Sequence, residues 1–235
     1  MNDLDILLLL NDDQSTPGTT TEWCEQRGLT YKIQAACHIQ DELQLQSKGL
    51  IAFGGNMQVW DTEEYPWLVK EKALIRRYLA QERGIFGICL GAQLLAEQLG
   101  GKVSPMNSWD IGWFSAEIDD HESPLSPLHW HTSSFTLPEW IRTTARSAQN
   151  PFQGFRVSPR VVGYQFHTEI DDTRLNYALK GWESAYTGRV QTPEEIREKA
   201  QQGIPALKTW YFQQLDQWWK AISDSPVGTG LSNKP

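Results

Sequence analysis

The chain has 235 residues, of which 40% are hydrophobic and 21% charged, a composition typical of a soluble globular protein. Its net charge of −8 gives no electrostatic basis for binding nucleic acid or an anionic membrane. The three cysteines match no metal-ligand spacing, and the sequence contains no secretion signal or membrane span, so we expect reduced thiols, a cytoplasmic location and no metal.

The first half of the chain alternates between strand and helix patterns. Residues 4–10 form a continuous apolar run, as in a central parallel strand that is buried on both faces. The elements predicted next are a helix over 19–27, strands over 29–36 and 49–53, and a helix over 66–81. This alternation predicts a doubly wound, mostly parallel sheet, in which ligands bind at the carboxyl ends of the strands.

The next predicted strand, over 85–88, stops at Cys89, and a helical pattern follows it. With Gly87 and Gly91 on either side, this has the layout of the G-x-S-x-G nucleophile elbow, with cysteine in place of serine. The first amides of the helix favour a negatively charged sulfur at the turn. A lone cysteine is more often a small buried hydrophobe, but the flanking glycines favour a nucleophile here.

Beyond residue 103 the pattern changes to short strand-like pieces, which we expect to be antiparallel strands beside the main sheet. These pieces cover residues 113–118, 135–137, 144–147, 154–157 and 161–166. The chain becomes helical again from residue 172, and the amphipathic segment 205–222 is interpreted as a helix packed on the domain. We expect one domain over 1–225 and a flexible tail over 226–235.

His167 and Glu169 are two residues apart, so on an extended backbone their side chains project to the same side. In that arrangement the carboxylate accepts the imidazole N–H and orients the ring toward a nucleophile. A lone His-x-Glu is more often a satisfied polar pair. Together with Cys89, however, it completes the logic of a catalytic triad.

The segments Gly-Ile-Cys-Leu-Gly-Ala-Gln (87–93) and Gly-Tyr-Gln-Phe-His-Thr-Glu (163–169) closely resemble those of the class I (triad) glutamine amidotransferases. The chain looks most like the stand-alone domains related to the glutaminase part of GMP synthase. Residues 128–138 are similar to the Trp-His-Gly-Asp-Thr-Phe-x-Leu-Pro stretch of those domains. The resemblance covers roughly residues 4–170, and it implies a flavodoxin-like α/β fold with a small antiparallel addition, C-terminal helices and no cofactor.

The resemblance also implies a mechanism, in which Cys89 attacks the side-chain amide of glutamine to give a γ-glutamyl thioester. His167 would transfer the protons and Glu169 would orient His167. The backbone N–H groups of Gly55 and Leu90 would form the oxyanion hole. The residues implied to contact the substrate are Gly54, Gln93, His131 and Ser133.

The sequence departs from the family pattern at two positions. Asn56 stands where the family usually has a proline after the Gly-Gly pair, and Ser133 replaces the aspartate of the His-Gly-Asp stretch. The second change bears on the specificity for glutamine. We interpret His131 as lining a groove, and the remaining histidines as solvated: His38, His121 and His129.

Three functions remain open from the sequence. The first is a glutaminase that supplies ammonia to a separate synthetase, since no phosphate-cradling motif follows residue 170. The second is a hydrolase of γ-glutamyl peptides or amines with the same triad, in which Trp109, Trp113 and Trp130 line a wider groove. The third is a non-catalytic binding or regulatory domain on the same scaffold.

Overall fold

The structure, a computed structural model, describes residues 4–39, 47–119 and 121–224. The strands are β1 (Ile6–Leu10), β2 (Tyr31–Ala35), β3 (Gly49–Ala52), β4 (Gly84–Ile88), β5 (Lys102–Trp113), β6 (Glu117–Ile118), β7 (Leu128–Thr136), β8 (Arg142–Arg146), β9 (Gly154–Ser158), β10 (Val161–Tyr164) and β11 (Gly188–Val190). The α-helices are α1 (Thr20–Gln26), α2 (Trp67–Ala80), α3 (Leu90–Gln98), α4 (Asp172–Lys180) and α5 (Pro193–Ser223). The main sheet has the strand order β2-β1-β3-β4-β10-β9-β8-β6, and β11-β5-β7 form a second sheet.

Strand β1 lies between two buried layers, one on each face of the main sheet. Ile6 and Leu8 point into the layer that contains α1, α4 and α5, whereas Leu7 and Leu9 point into the layer that contains α2 and α3. Because helices cover both faces of the sheet, both alternating sets of side chains must be apolar. The parallel pairing of β2, β1, β3, β4 and β10 confirms the predicted doubly wound α/β fold.

The antiparallel part of the fold is larger than predicted. Strands β9, β8 and β6 extend the main sheet, as expected, but β5 and β7 pair along most of their length in a hairpin of the second sheet. The pieces predicted over 113–118 and 135–137 overlap only the ends of this hairpin, although the first also contains β6, so most of β5 and β7 was missed. Pro105 and an irregular register between Pro105 and Asp110 interrupt the alternating pattern by which a strand is recognised. The piece predicted over 161–166 was wrong in orientation, because β10 pairs parallel with β4 inside the main sheet.

The amphipathic segment predicted over 205–222 is the second part of one long helix, α5, which begins at Pro193. It begins with a capping box, in which Thr192 Oγ1 accepts from Glu195 N at 3.2 Å and Glu195 Oε2 accepts from Thr192 N at 2.8 Å. Pro205 lies inside this helix, although it has no N–H to donate. The packing of α5 against the sheet therefore outweighs the loss of that hydrogen bond.

Helix α5 packs closely on the main sheet because two strands begin with glycine. A Cβ atom on Gly49 would lie 2.5 Å from Trp218, and one on Gly84 would lie 2.7 Å from Ile222. The predicted amphipathic helix on the domain surface is thus confirmed. No helix within the described ranges combines the length and apolar character that a membrane crossing requires.

The carboxyl ends of β1, β3, β4 and β10 meet at one edge of the main sheet. Asn11, Phe53, Cys89 and Gln165 follow these four strands directly. The candidate site is built at this edge. The single domain over 1–225 stays a prediction, and the predicted tail over 226–235 lies outside the described residues.

Candidate active site

Cys89 occupies a strained turn between β4 and α3. Its φ of 51° and ψ of −112° are unusual for a residue with a side chain, at a cost of about 1–3 kcal/mol. The Cys89 N–H donates to Tyr164 O at 2.8 Å, which fixes the turn. Gly91 is required because a Cβ atom there would lie 2.1 Å from Ala52 O. The local sequence thus forms a sharp strand-to-helix corner with the thiol at its apex.

His167 and Glu169 follow β10 and interact directly. His167 Nδ1 and Glu169 Oε1 are 2.8 Å apart, and Glu169 is fully buried whereas 12% of the His167 side chain is exposed. The His167 N–H donates to Leu128 O at 2.9 Å, and the Thr19 N–H donates to Glu169 O at 2.8 Å. Because Nδ1 is engaged by the carboxylate, Nε2 is the ring nitrogen left for the thiol.

The thiol and the imidazole border the same small space next to Gly54. A Cβ atom on Gly54 would lie 2.9 Å from His167 Cε1, 3.2 Å from Cys89 Cβ and 3.7 Å from Cys89 Sγ. Only glycine leaves that space open. The three predicted triad residues are therefore brought together, although their sequence positions span two separate segments of the chain.

Arg174 is a further part of the site that the sequence analysis missed. Its Nε atom lies 2.6 Å from Glu169 Oε1, and its Nη1 atom donates to Ser15 Oγ at 2.5 Å and to Thr16 O. The N–H of Arg174 donates to Asp171 Oδ1 at 2.7 Å, which begins α4. No motif marks this arginine. Glu169 is near it in the sequence, but the contacts that hold the guanidinium in place come from Ser15 and Thr16, 159 and 158 residues away.

Charged partners outweigh burial in the His167–Glu169 couple. Burial opposes a charge on His167, but Glu169 and then Cys89 raise its pKa to about 10. Burial also opposes a charge on Glu169, but Arg174 and then His167 lower its pKa to about 2. At neutral pH the couple is therefore an imidazolium beside a carboxylate, which can supply a proton to a group that leaves next to the sulfur.

The backbone amides of Gly55 and Leu90 are available to bind an anionic oxygen. Within the described part of the chain, neither amide donates to another backbone group. Leu90 is the first residue of α3, where helical N–H groups have no partner inside the helix. A Cβ atom on Gly55 would lie 3.3 Å from Leu90 Cδ2, so the two residues are neighbours.

All of the predicted site residues except the buried Glu169 line one cavity of about 560 Å³. At one end of it, Gln93 Nε2 donates to Gln165 Oε1 at 3.2 Å, and Ser133 Oγ donates to Gln58 Oε1 at 2.5 Å. This end of the cavity is lined by amide and hydroxyl groups. It therefore differs in charge from a site that carries an aspartate at position 133.

Two histidines stand behind this end of the cavity, in a cluster with Asp110. His131 lines the cavity, as expected, but His129 is fully buried, so the expectation that it is solvated was wrong. His129 Nδ1 lies 3.4 Å from His131 Nε2 and 3.5 Å from Asp110 Oδ2. Burial is the main factor that lowers the pKa of both rings, that of His131 to about 4, so both are neutral at pH 7.

The same cluster presents ligand atoms at the spacing of a metal site, since these atoms lie within 4.8 Å of one another. Arg189, however, contacts both oxygens of Asp110 at 2.5 and 2.6 Å. The guanidinium already compensates the carboxylate and would repel a cation. A second group, Asp13, Cys37 and His38, lies nearer the surface, and burial raises the pKa of the Cys37 thiol, which disfavours the thiolate that a metal needs.

Part of the cavity wall is aromatic. The rings of Trp109 and Tyr186 lie 4.5 Å apart, and both residues line the cavity together with Trp130. Trp113 is instead a core residue, 4% exposed, and its Nε1 donates to Ile196 O at 3.0 Å. Its predicted place in the groove was therefore wrong.

The chain also resembles known proteins in sequence and in fold. The family model described as Glutamine amidotransferase class-I matches residues 20–179. The glutamine amidotransferase-like protein YfeJ of Salmonella typhimurium is 25% identical over 241 residues, which cover 92% of this chain and 95% of YfeJ. A GMP synthase of Lacticaseibacillus rhamnosus is 32% identical over 105 residues, which cover 40% of this chain and 20% of the synthase.

A solved structure with a similar fold is the glutamine amidotransferase of Methylobacillus flagellatus. It superposes with a TM-score of 0.83 over 97% of this chain and 99% of its own, at 21% sequence identity. At that identity the likeness establishes the shared fold. The match to GMP synthase is different in extent, because this chain aligns with only about a fifth of that enzyme.

Proposed function

The chain belongs to the class I glutamine amidotransferase family, and we propose that it releases ammonia from glutamine through a γ-glutamyl thioester on Cys89. The observation that carries this proposal is the space beside Gly54, which Cys89 and His167 both border. Glu169 lies behind the imidazole. The amides of Gly55 and Leu90 donate to no other backbone group among the described residues, and both residues line the same cavity as Cys89. Nucleophile, proton donor and anion-binding groups thus meet at one point, as acyl transfer requires.

In the first step, Cys89 Sγ attacks the side-chain carbonyl carbon of glutamine and a C–S bond forms. The amides of Gly55 and Leu90 hold the oxygen that becomes negative, and each such donor contributes about 2.7–4 kcal/mol in comparable sites. The C–N bond then breaks, and His167 protonates the departing nitrogen, so ammonia leaves and a γ-glutamyl thioester remains.

In the second step, His167 accepts a proton from a water molecule that attacks the thioester. The C–S bond breaks, glutamate is released, and the sulfur is regenerated. Throughout the cycle Glu169 stabilises the charged form of His167 and holds the ring in one orientation. Arg174 keeps Glu169 ionised, so the carboxylate is available for this role at every step.

The ammonia would pass to a separate synthetase. This part of the proposal rests on the matched GMP synthase, of which the aligned stretch is only 20%, so that enzyme contains a large part with no counterpart here. In this proposal the synthetase supplies the acceptor chemistry, and the residues described here supply the ammonia.

Hydrolysis of a γ-glutamyl peptide or amine is a second candidate, which the size of the cavity favours. A volume of about 560 Å³ exceeds what a free amino acid occupies. The aromatic wall at Trp109, Trp130 and Tyr186 offers an apolar surface for a larger leaving group. In this case the attack on the carbonyl is the same, but the leaving group is an amine rather than ammonia.

Glutamate release separates these functions. We expect the wild-type protein to release glutamate from glutamine, alone or with a synthetase added, and Cys89→Ala to release none. Release from γ-glutamyl dipeptides but not from glutamine would favour the hydrolase. If no substrate is turned over under either condition, the chain is a binding or regulatory domain, and the proposed chemistry is wrong.

A further inference from the structure

A buried polar pair, Asn11 and Glu71, lies behind the turn that carries the predicted oxyanion hole. Asn11 is 3% exposed and Glu71 is not exposed at all. Asn11 Nδ2 donates to Phe53 O at 3.2 Å and to Glu71 Oε1, also at 3.2 Å. The amide therefore links helix α2 to the residue that precedes Gly54.

The two remaining oxygen atoms of this pair have no hydrogen-bond partner among the residues that the structure describes. They are Asn11 Oδ1 and Glu71 Oε2. An amide oxygen and an ionised carboxylate are both acceptors, so they cannot satisfy each other. A protonated carboxyl group has one O–H donor, and it pairs with an amide through two parallel hydrogen bonds, Nδ2–H to Oε1 and Oε2–H to Oδ1.

The surroundings of Glu71 favour the protonated form. Burial raises the pKa of Glu71 to about 8 and outweighs both the hydrogen bond from Asn11 and the charge of Lys72. Lys72 is the charged neighbour on the same helix, and its ammonium group is engaged by Glu97 at 2.8 Å. A carboxylate that is buried without a cation of its own is destabilising, so the neutral form is favoured.

The turn itself is packed tightly between this pair and the catalytic side chains. A Cβ atom on Gly55 would lie 2.6 Å from Asn11 Cβ, and one on Gly54 would lie 2.9 Å from His167 Cε1. A shift of Asn11 toward the turn would therefore displace the backbone that carries the Gly55 amide. Misplacement of a reacting or stabilising group by about 1 Å can cost about 100-fold in rate.

We propose that protonated Glu71 and Asn11 form a two-bond acid–amide pair that positions the turn over residues 53–55 for oxyanion stabilisation. Both are positioning residues, because they act through the backbone and do not touch the substrate. The proposal rests on the function proposed above for the Gly55 amide. It adds a second, uncharged carboxyl group that supports the turn from behind and takes no part in the chemistry.

The protonation state is tested without any activity. Difference infrared spectroscopy of the wild-type protein against Glu71→Gln at pH 7 should show the C=O stretch of one buried protonated carboxyl group, lost in the variant. Glu198→Gln, which removes an exposed carboxylate of α5, is the matched control and should leave the band unchanged. If the wild-type protein has no such band, the acid–amide pair does not exist.

The positioning role is tested by kinetics with glutamine or the best γ-glutamyl substrate. Glu71→Gln keeps one donor and one acceptor, so its kcat and KM at pH 7 should stay within about twofold of wild type. Glu71→Leu should lower kcat about tenfold and change KM less than about twofold. Between pH 7 and pH 9 the activity of wild type relative to Glu71→Gln should fall about tenfold, because only the wild-type residue ionises.

Parallel pH profiles of the wild type and Glu71→Gln, or an unchanged kcat in a folded Glu71→Leu, would overturn the positioning role. Should Glu71→Leu not fold, the profile of Glu71→Gln still decides the matter. Failure of the proposed function gives a different result, since the wild type would then release no glutamate while the infrared band remains. The two failures are therefore distinguishable.

Discussion

Two glutamates on either side of the Gly54–Gly55 turn are both completely buried, yet at neutral pH one is ionised and the other is protonated. Glu169 lies 2.6 Å from Arg174 and 2.8 Å from His167, and these partners hold its pKa near 2 although burial opposes it. Glu71 has a neutral amide as its hydrogen-bond partner, and burial raises its pKa to about 8. Burial is the same in both cases, so the partner determines the charge.

The difference suits the two roles proposed for these carboxyl groups. A carboxylate that stabilises an imidazolium must stay ionised throughout the catalytic cycle, and a cation ensures this. A group that only positions a turn has no need of charge, and the neutral form satisfies the oxygen of Asn11 that otherwise lacks a partner among the described residues. Variants that alter one side and not the other will test this division.

The largest effect is expected from Glu169→Gln. The amide cannot stabilise the charged imidazole, so kcat for glutamate release should fall about 10³–10⁴-fold. Steady-state kinetics at neutral pH provides the measurement, and Glu198→Gln is the control for loss of an exposed carboxylate. A loss smaller than about tenfold would show that the carboxylate does not support His167, and the contrast with Glu71 would lose its functional meaning.

Gly54→Ala should have the next largest effect, because it disturbs the space between the two sides. The added Cβ atom would lie 2.9 Å from His167 Cε1 and 3.2 Å from Cys89 Cβ, so the ring must move away from the sulfur. We expect kcat to fall about 100-fold in a folded protein.

The control for this variant is Gly28→Ala. Gly28 has a φ of +64° and no atom within 4 Å of its Cβ position, so the substitution strains the backbone without filling any space. It should cost about 1 kcal/mol of stability and leave kcat unchanged. Equal activities for the two variants would argue against a shared space for the thiol and the imidazole.

Arg174→Met removes the cation from the charged side and should act on stability more than on rate. Loss of one member of a buried ion pair typically costs about 3–5 kcal/mol, because Glu169 stays buried. The pKa of Glu169 should rise, and with it the lower pH limit of activity, while kcat at neutral pH falls about tenfold. Arg197→Met, on the exposed surface of α5, is the matched control for urea unfolding and kinetics.

The sequence predicts those site residues that are recognised by their neighbours in the chain. It does not predict residues whose partners are far away in the sequence. Cys89 lies in a strand–turn–helix motif, and His167 and Glu169 are two residues apart, so local patterns identify them. Glu71 is 60 residues from Asn11 in the chain, and the contact of Arg174 with Ser15 spans 159 residues. No local pattern in the sequence indicates such contacts. In the sequence, Glu71 and Arg174 look like ordinary surface residues, because charged residues are mostly exposed.

The β5–β7 hairpin was missed for a different reason. In β7, polar residues such as His131 and Ser133 line the cavity, so the apolar alternation is weak, and in β5 the pattern is interrupted between Pro105 and Asp110. The burial of His129 was missed with it, because a histidine inside a strand looks solvated until its neighbours are known. The wall of the cavity that β7 forms was therefore the least predictable part of the candidate site.

The last prediction concerns stability rather than activity. The pH dependence of the free energy of unfolding should show the sharpest contrast between the two glutamates. Glu71 has a raised pKa, so the unfolded chain releases this proton first. The stability that protonated Glu71 contributes is fully present below its ordinary pKa near 4.5 and is lost as the pH rises to about 8. Wild type should thus lose a few kcal/mol relative to Glu71→Gln over this interval, on the order of 1.4 kcal/mol for each pH unit that separates the folded and unfolded pKa values.

Glu169 should show the opposite slope, because its pKa is lowered. Its contribution is present above the ordinary pKa and is lost as the pH falls toward about 2, so the advantage of wild type over Glu169→Gln should shrink only in acid. Thermal unfolding of the three proteins between pH 3 and pH 9 measures both slopes. If both differences changed in the same direction with pH, partner charge would not be what distinguishes these two buried carboxyl groups.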